Sequence, residues 1–308
     1  HKGVNPDEVV ALGAAIDNVE QKDDEFRHFK DFTPGESAVG SIRGFGRGFE
    51  TFSEDPHLTA RIAVAFVNGV QSRGVGTSVK HFVCNDSEYQ RVSISSRVGE
   101  RALRELSLVP FEATVREADA WTVMSAYNRI NGVYASENYH LLTEILRDEW
   151  GFEGFVVTDW NNIGRMHQEQ MVCATMEEAV QKAVEAGNDM AMSTPEFPDA
   201  AVDLVESGSL DVKIIDEAVR NILRLKFKLG LFDENRYADL EKGREIVGCE
   251  EHRQGALESA YQSIALLKNQ DNLLPLDVDS GSLKRIAVIG PNADNVMAQL
   301  GDWVSWSG

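Results

Sequence analysis

The stretch Gly151-Phe152-Glu153-Gly154-Phe155-Val156-Val157-Thr158-Asp159-Trp160 decides how the chain is read. It runs as helix stop, turn, buried strand, then one acid at the strand's end. Phe155, Val156 and Val157 form a short unbroken apolar run, as expected of a parallel strand covered on both faces. An unpaired carboxylate inside such a strand is costly. Asp159 is therefore expected where the strand opens into a βα loop, the catalytic face of an α/β barrel. A helix N-cap aspartate following a strand is the alternative, and the pattern alone leaves both open.

Working outward, strands and helices alternate. A helix near 57–72 precedes a strand near 76–83, and a long helix near 99–118 precedes a strand at 121–126. The segment 139–150 has helical apolar spacing at Leu142, Ile145 and Leu146, with Gly151 as its stop. After the Asp159 strand come a helix near 176–186 ending at Gly187 and a short strand at 188–192. Helices near 197–207 and 213–229 follow, the second ending at Gly230. Such alternation with parallel returns means α/β. Strand starts 35–45 residues apart suit a (β/α)8 TIM-type barrel with elaborated loops, although only four or five of its eight strands are legible.

The expected domains are an unassigned start at 1–42, a barrel at 43–232, a linker and helix at 233–262, and a second unit at 263–308. Residues 17–40 are polar and show no clear period. In the second unit, Lys284 to Pro291 reads as a buried strand ending in a glycine turn, as at the start of a doubly wound sheet.

Composition narrows the chemistry. The chain has 308 residues and a net charge of −20, with a pI near 4.7. That balance argues against nucleic acid and anionic membranes as partners. No apolar run approaches the length of a membrane span, and a soluble protein is expected, with cytoplasm, periplasm and secretion undistinguished. Cys84, Cys173 and Cys249 show neither pairing nor metal spacing. No histidine pair has ligand spacing, so no metal or other cofactor is expected. The glycines of Arg43-Gly44-Phe45-Gly46-Arg47-Gly48 lack the lysine and the strand–loop–helix frame of a phosphate loop.

Arg47, Lys80-His81, Tyr127 and Asp159-Trp160 all fall at or just after expected strands. Strand C-termini in a barrel converge on one pocket. One carboxylate, cations, a histidine and two aromatic groups suit a neutral, polyhydroxylated ligand. Trp160 would stack on an apolar sugar face, while Arg47, Lys80 and His81 donate to hydroxyls. Asp159 could attack an anomeric carbon, with Tyr127 beside it. Simpler readings stand next to these. Adjacent Lys80 and His81 point to opposite faces unless the strand ends or bulges there. Tyr127 could be a core-edge aromatic, and Arg47 could pair with one of many acids.

Six blocks stand out: Gly46 to Pro56 (GRGFETFSEDP), Gly74 to Asp86 (GVGTSVKHFVCND), Met124 to Gly132 (MSAYNRING) and Gly151 to Trp160, followed by Ile222 to Asp233 and Ala265 to Leu276. Together they resemble glycoside hydrolase family 3, typified by β-glucosidases. The resemblance covers roughly 43–308. It implies a barrel followed by an α/β sandwich domain, of which 263–308 would be the start. It also implies Asp159 as nucleophile of a retaining mechanism, with Arg47, Lys80, His81, Tyr127 and Trp160 lining the sugar subsite. The acid/base, a glutamate of the second domain in the β-glucosidase branch, is expected outside this chain, which reads as the middle of a longer enzyme. His1 to Ile16 instead resembles a helix of the Hsp70 ATPase domain, read as a foreign or chimeric start.

The function implied is hydrolysis of terminal β-D-glucosyl residues, on a β-glucoside or oligosaccharide substrate; a homo-oligomer is compatible with it. β-Xylosidase is an alternative. N-acetylhexosaminidase of the same family loses ground because Lys80-His81-Phe82 continues as Val83-Cys84-Asn85-Asp86. A non-catalytic sugar-binding fragment is the rival from another class.

Overall fold

The computed structural model describes residues 29–32, 51–87, 89–234 and 237–295. Among the described residues the strands are β1 (Phe29–Phe32), β2 (Gly76–Phe82), β3 (Ser95–Ser96), β4 (Thr122–Ser125), β5 (Arg129–Ile130), β6 (Val133–Tyr134) and β7 (Phe155–Thr158). The main helices are α1 (Pro56–Gln71), α2 (Val109–Ala118), α3 (His140–Glu149), α4 (Asn162–Gln168), α5 (Met176–Ala186), α6 (Phe197–Glu206), α7 (Val212–Lys228), α8 (Leu240–Ile246) and α9 (Glu250–Ser263). The fold is α/β.

The main sheet is parallel, in the order β1-β2-β4-β7. Each sequential pair from β2 onward is joined through helix, as parallel pairing requires. The chain enters α1 through Asp55, whose carboxylate accepts the N–H groups of His57 and Leu58, with Pro56 first in the helix. α3 is wound as a π-helix and ends at Gly151, whose φ of +74° favours glycine. Gly154 follows because a Cβ there would stand 2.2 Å from the Trp121 carbonyl oxygen. These glycines turn the chain straight into β7.

β7 explains its own unbroken apolar run. Val156 packs on one face with Val79, Phe82 and Val123, against Val67 of α1 and Leu142 and Ile145 of α3. Phe155 and Val157 point to the other face and meet Met124 and Leu225 of α7. Burying one such side chain contributes roughly 1.5–3 kcal/mol. A second apolar cluster joins α4, α5 and α6 through Ile163, Met166, Val180, Ala183 and Leu204.

Four readings are corrected. Residues 17–40, read without an element, contain β1, which pairs along β2 from Phe29 opposite Gly76 to Phe32 opposite Val79. The strand expected at 188–192 is reduced to a single parallel bridge between Met190 and Val157. The linker expected after 233 contains α8, capped by Asp239. The strand expected from Lys284 to Pro291 is not formed: Ile286, Val288 and Ile289 are 64%, 73% and 90% exposed. Its apolar pattern needs neighbours to pair with and a covered face, and among the described residues it pairs with no strand.

The chain divides into compact units His1–Ser259 and Ala260–Gly308, a division that falls within α9. The described part of the second unit holds the end of α9 and a short turn at Gln270–Asn272. Residues 1–16, compared above with an Hsp70 helix, lie outside the described residues.

Candidate active site

Asp159 directly follows β7. Its N–H donates to the Ser125 carbonyl (3.2 Å), that of Thr158 to Met190 (3.0 Å) and that of Asn161 to Met192 (2.8 Å). The end of β7 is thereby clamped between β4 and segment 190–192. Asp159 is not a helix cap. α4 begins at Asn162, its cap position is Asn161, and the Asp159 carboxylate instead accepts the Trp160 N–H at 2.7 Å. The side chain is largely buried, 13% exposed.

β2 brings the histidine to it. The β2–β4 register shifts between Val79 and Phe82, the irregularity that adjacent Lys80 and His81 needed. His81 is 2% exposed and its Nε2 lies 3.6 Å from Asp159 Oδ2, an electrostatic contact rather than a hydrogen bond. Lys80, on the same turn of chain, is half-buried.

β4 delivers Tyr127 two residues past its end. The ring is buried and the hydroxyl donates to the Trp160 carbonyl at 2.7 Å. The Asp159 carboxylate is close enough for its charge to act on that hydroxyl. Burial, and then the Asp159 charge, push the Tyr127 hydroxyl well above its usual range, so it stays a donor at any working pH. Trp160, whose N–H reaches the carboxylate, is 61% exposed. The structure therefore brings together Asp159, His81, Tyr127 and Trp160. Arg47 lies outside the described residues.

Two arginines complete the surroundings of Tyr127. The guanidinium carbons of Arg91 and Arg165 stand 5.1 Å and 5.3 Å from its ring centroid, within cation–π range. Neither was singled out in the sequence. Arg91 follows Lys80 by eleven residues in a loop at the sheet's C-terminal end, where site residues concentrate. Arg165 is one helical turn into α4 and also pairs with Glu169 at 2.5 Å.

The loop after β2 holds an unusual acid. Burial pushes the Asp86 carboxyl up from 3.8 to about 6. The folded state thus holds this proton across a window where the unfolded chain releases it. Its contribution to stability is complete below about pH 4 and is lost as pH rises through about 6. Asp86→Asn should leave thermal stability near pH 4 almost unchanged and raise it at pH 8 by about 2 kcal/mol, allowing for the part of the side chain that meets solvent. Melting curves at both pH values check this, and an unchanged melting temperature at pH 8 counts against it.

No group of three or more His, Cys, Asp or Glu among the described residues is placed to hold a metal ion. No helix among them is long and apolar enough to cross a membrane.

The glycosyl hydrolase family 3 N-terminal domain matches residues 31–225. The chain is 41% identical over 255 residues to a β-glucosidase of Rhizobium radiobacter, covering 80% of this chain and 28% of that protein. It is 37% identical over 289 residues to a β-xylosidase of Formosa agariphila, covering 88% and 39%. A solved β-glucosidase involved in saponin metabolism from intestinal bacteria superposes with a TM-score of 0.86 at 38% identity, over 99% of this chain and 40% of that one. The chain thus spans well under half the length of these relatives. On its conserved-domain match, which includes β7 and Asp159, and on these identities, the chain belongs to glycosyl hydrolase family 3.

Proposed function

We propose that the protein is a retaining β-glycosidase, acting on terminal β-D-glucosyl residues, with Asp159 as its nucleophile. The observation behind this reading is a mostly buried carboxylate at a parallel strand's C-terminal end, faced by His81 and Tyr127, with the exposed Trp160 next to it in the chain. The names of the β-glucosidase relatives support the substrate class. The parallel sheet is then one arc of a (β/α)8 barrel that takes in β1 at Phe29–Phe32, ahead of the start expected near 43, and runs to about 232, followed through 233–262 by a second domain.

In the first step an Asp159 oxygen bonds to the anomeric carbon. The bond to the aglycone oxygen breaks, and that oxygen takes a proton from a second carboxyl group. In a retaining enzyme this group lies about 5–5.5 Å from the nucleophile. It is assigned to no residue of this chain. Water then attacks the same carbon, returns the proton to that group and releases Asp159. Two inversions retain the configuration. Tyr127 donates to the Trp160 carbonyl and so fixes the turn beside Asp159, His81 adds a close polar contact to the carboxylate, and both hold Asp159 in place. Lys80, Arg47 and Trp160 bind the sugar, the last by stacking.

The test is incubation of the full-length protein with a 2-deoxy-2-fluoroglucoside bearing an activated leaving group, followed by peptide mass spectrometry. A glycosyl adduct on the peptide containing Asp159 is expected. An adduct on another carboxylate removes the assignment, and no adduct with any sugar turns the reading toward a sugar-binding protein. The β-xylosidase relative makes the 2-fluoroxyloside the second probe, and faster labelling by it would change the sugar while keeping the mechanism.

A further inference from the structure

We propose that Asn162, backed by Gln170, is the positioning residue that fixes the gap between Asp159 and Tyr127. This rests on Asp159 being the nucleophile.

Asn162 is the first residue of α4 and is 1% exposed. Its side-chain nitrogen donates to the Ala126 carbonyl at 2.9 Å and to the Ser136 hydroxyl at 2.6 Å. Its side-chain oxygen accepts from Gln170 at 3.1 Å. The same Gln170 nitrogen reaches the Tyr127 carbonyl at 3.4 Å. The backbone N–H of Asn162 donates to the Asp159 carbonyl at 3.0 Å. One buried residue therefore touches the turn carrying Asp159, the residue preceding Tyr127 and, through Gln170, Tyr127 itself.

Both side-chain N–H groups of Asn162 are used, and its oxygen is engaged. A planar amide held at three points has little freedom to shift. Ser136 is anchored in turn: its hydroxyl lies 3.0 Å from that of Ser125, which donates to Asn188 at 3.0 Å. The Ser125 carbonyl receives the Asp159 N–H. The network thus closes on the two segments that carry Asp159 and Tyr127.

The contact it spaces is that of the Tyr127 hydroxyl with the carbonyl of Trp160, made at 2.7 Å directly beside Asp159. Charge leaves the carboxylate as the covalent bond forms, so an error in that spacing acts on the chemical step. A misplacement near 1 Å, from a change remote from the reacting atoms, costs about 10²-fold. The sugar-binding side chains proposed above make no contact with Asn162 among these bonds. Loss of Asn162 should therefore fall on kcat and spare KM.

The test uses Asn162→Ala and the milder Ser136→Ala in the full-length protein, with the folded fraction measured by circular dichroism. Activity on an activated aryl glycoside is followed together with the rate of labelling by the fluorosugar. Wild type labelled at Asp159 establishes the nucleophile independently; no labelling there overturns both assignments. For Asn162→Ala, kcat per folded molecule should fall about 30- to 100-fold, with KM within about threefold and labelling slowed by the same factor. Ser136→Ala should lose a few-fold in the same direction. A folded Asn162→Ala with kcat within about threefold of wild type, or with loss only in proportion to unfolding, overturns the proposal. Should Asn162→Ala not fold, Ser136→Ala decides, and unchanged kcat per folded molecule overturns it.

Discussion

Asp159→Asn in the full-length protein should lower kcat by roughly 10⁴-fold or more, the scale seen when a nucleophile is removed from a working site. Stability should hardly change, because asparagine is isosteric. Its oxygen can keep the Trp160 N–H bond now made at 2.7 Å. Its amide can turn toward His81, whose Nε2 lies 3.6 Å from the other carboxylate oxygen. The loss is therefore chemical: an amide oxygen is too weak a nucleophile to form the glycosyl ester. The measurement is steady-state turnover of an aryl glycoside beside a melting curve. Asp159→Ala with added azide extends it. Azide entering from the vacated side should give the glycosyl azide of opposite anomeric configuration. Near-normal turnover of Asp159→Asn, or azide product of retained configuration, would remove the assignment.

The second large effect is on the fold, at the other end of β7. Arg147→Met should destabilise the protein by about 3 kcal/mol, the lower part of the range for breaking a buried pair. Arg147 pairs with Asp189 at 2.5 Å and also donates to the Gly154 and Gly187 carbonyls at 3.3 Å. Asp189 is 9% exposed and accepts from the Val156 N–H at 2.7 Å and from Asn221 at 3.0 Å. The pair therefore ties α3 and α7 to β7. Without the guanidinium, a charged carboxylate stays inside. Arg147, Asp189 and Asn221 line a cleft of about 590 Å³ that water can enter, which sets the cost at the lower end.

The pH dependence follows. Burial already pushes the Asp189 carboxyl up, against the lowering by Arg147 and its hydrogen bonds. Removing Arg147 raises it further. A raised carboxyl favours the folded state at low pH and loses that advantage as pH rises. The deficit of Arg147→Met should thus be largest above neutral pH and shrink toward pH 4. Adding Asp189→Asn should recover part of it. For a unit of this size about 3 kcal/mol corresponds to roughly 10 °C in melting temperature. Activity per folded molecule should survive, since Val156 and Asp159 are about 10 Å apart along an extended strand. A deficit below about 1 kcal/mol at pH 8, or one that grows on acidification, would show that the pair does not hold the strand.

Much of this architecture was written locally. Phe155-Val156-Val157 between a glycine turn and an acid could only be a covered strand, because it has no polar face to present. The helices α1 to α3 and α5 to α7 showed themselves in apolar spacing and glycine stops, whereas α4 was not foreseen. Asp159, His81, Tyr127 and Trp160 were legible because each sits at or just past the end of such a strand, where side chains converge. β1 was not: its residues Phe29-Lys30-Asp31-Phe32 carry two charges in four positions, and only pairing along β2 makes them a strand. Lys284 to Pro291 erred the other way, an apolar pattern that pairs with no strand among the described residues. The tertiary structure alone decided that Arg91 and Arg165 flank Tyr127, and that Asn162, Gln170 and Ser136 close around it. Helical and strand periods are set by residues two to four apart, so sequence carries them. A hydrogen-bonded amide has no period. Its partners lie eight to 36 residues away in the chain, and strand register and loop path bring them together.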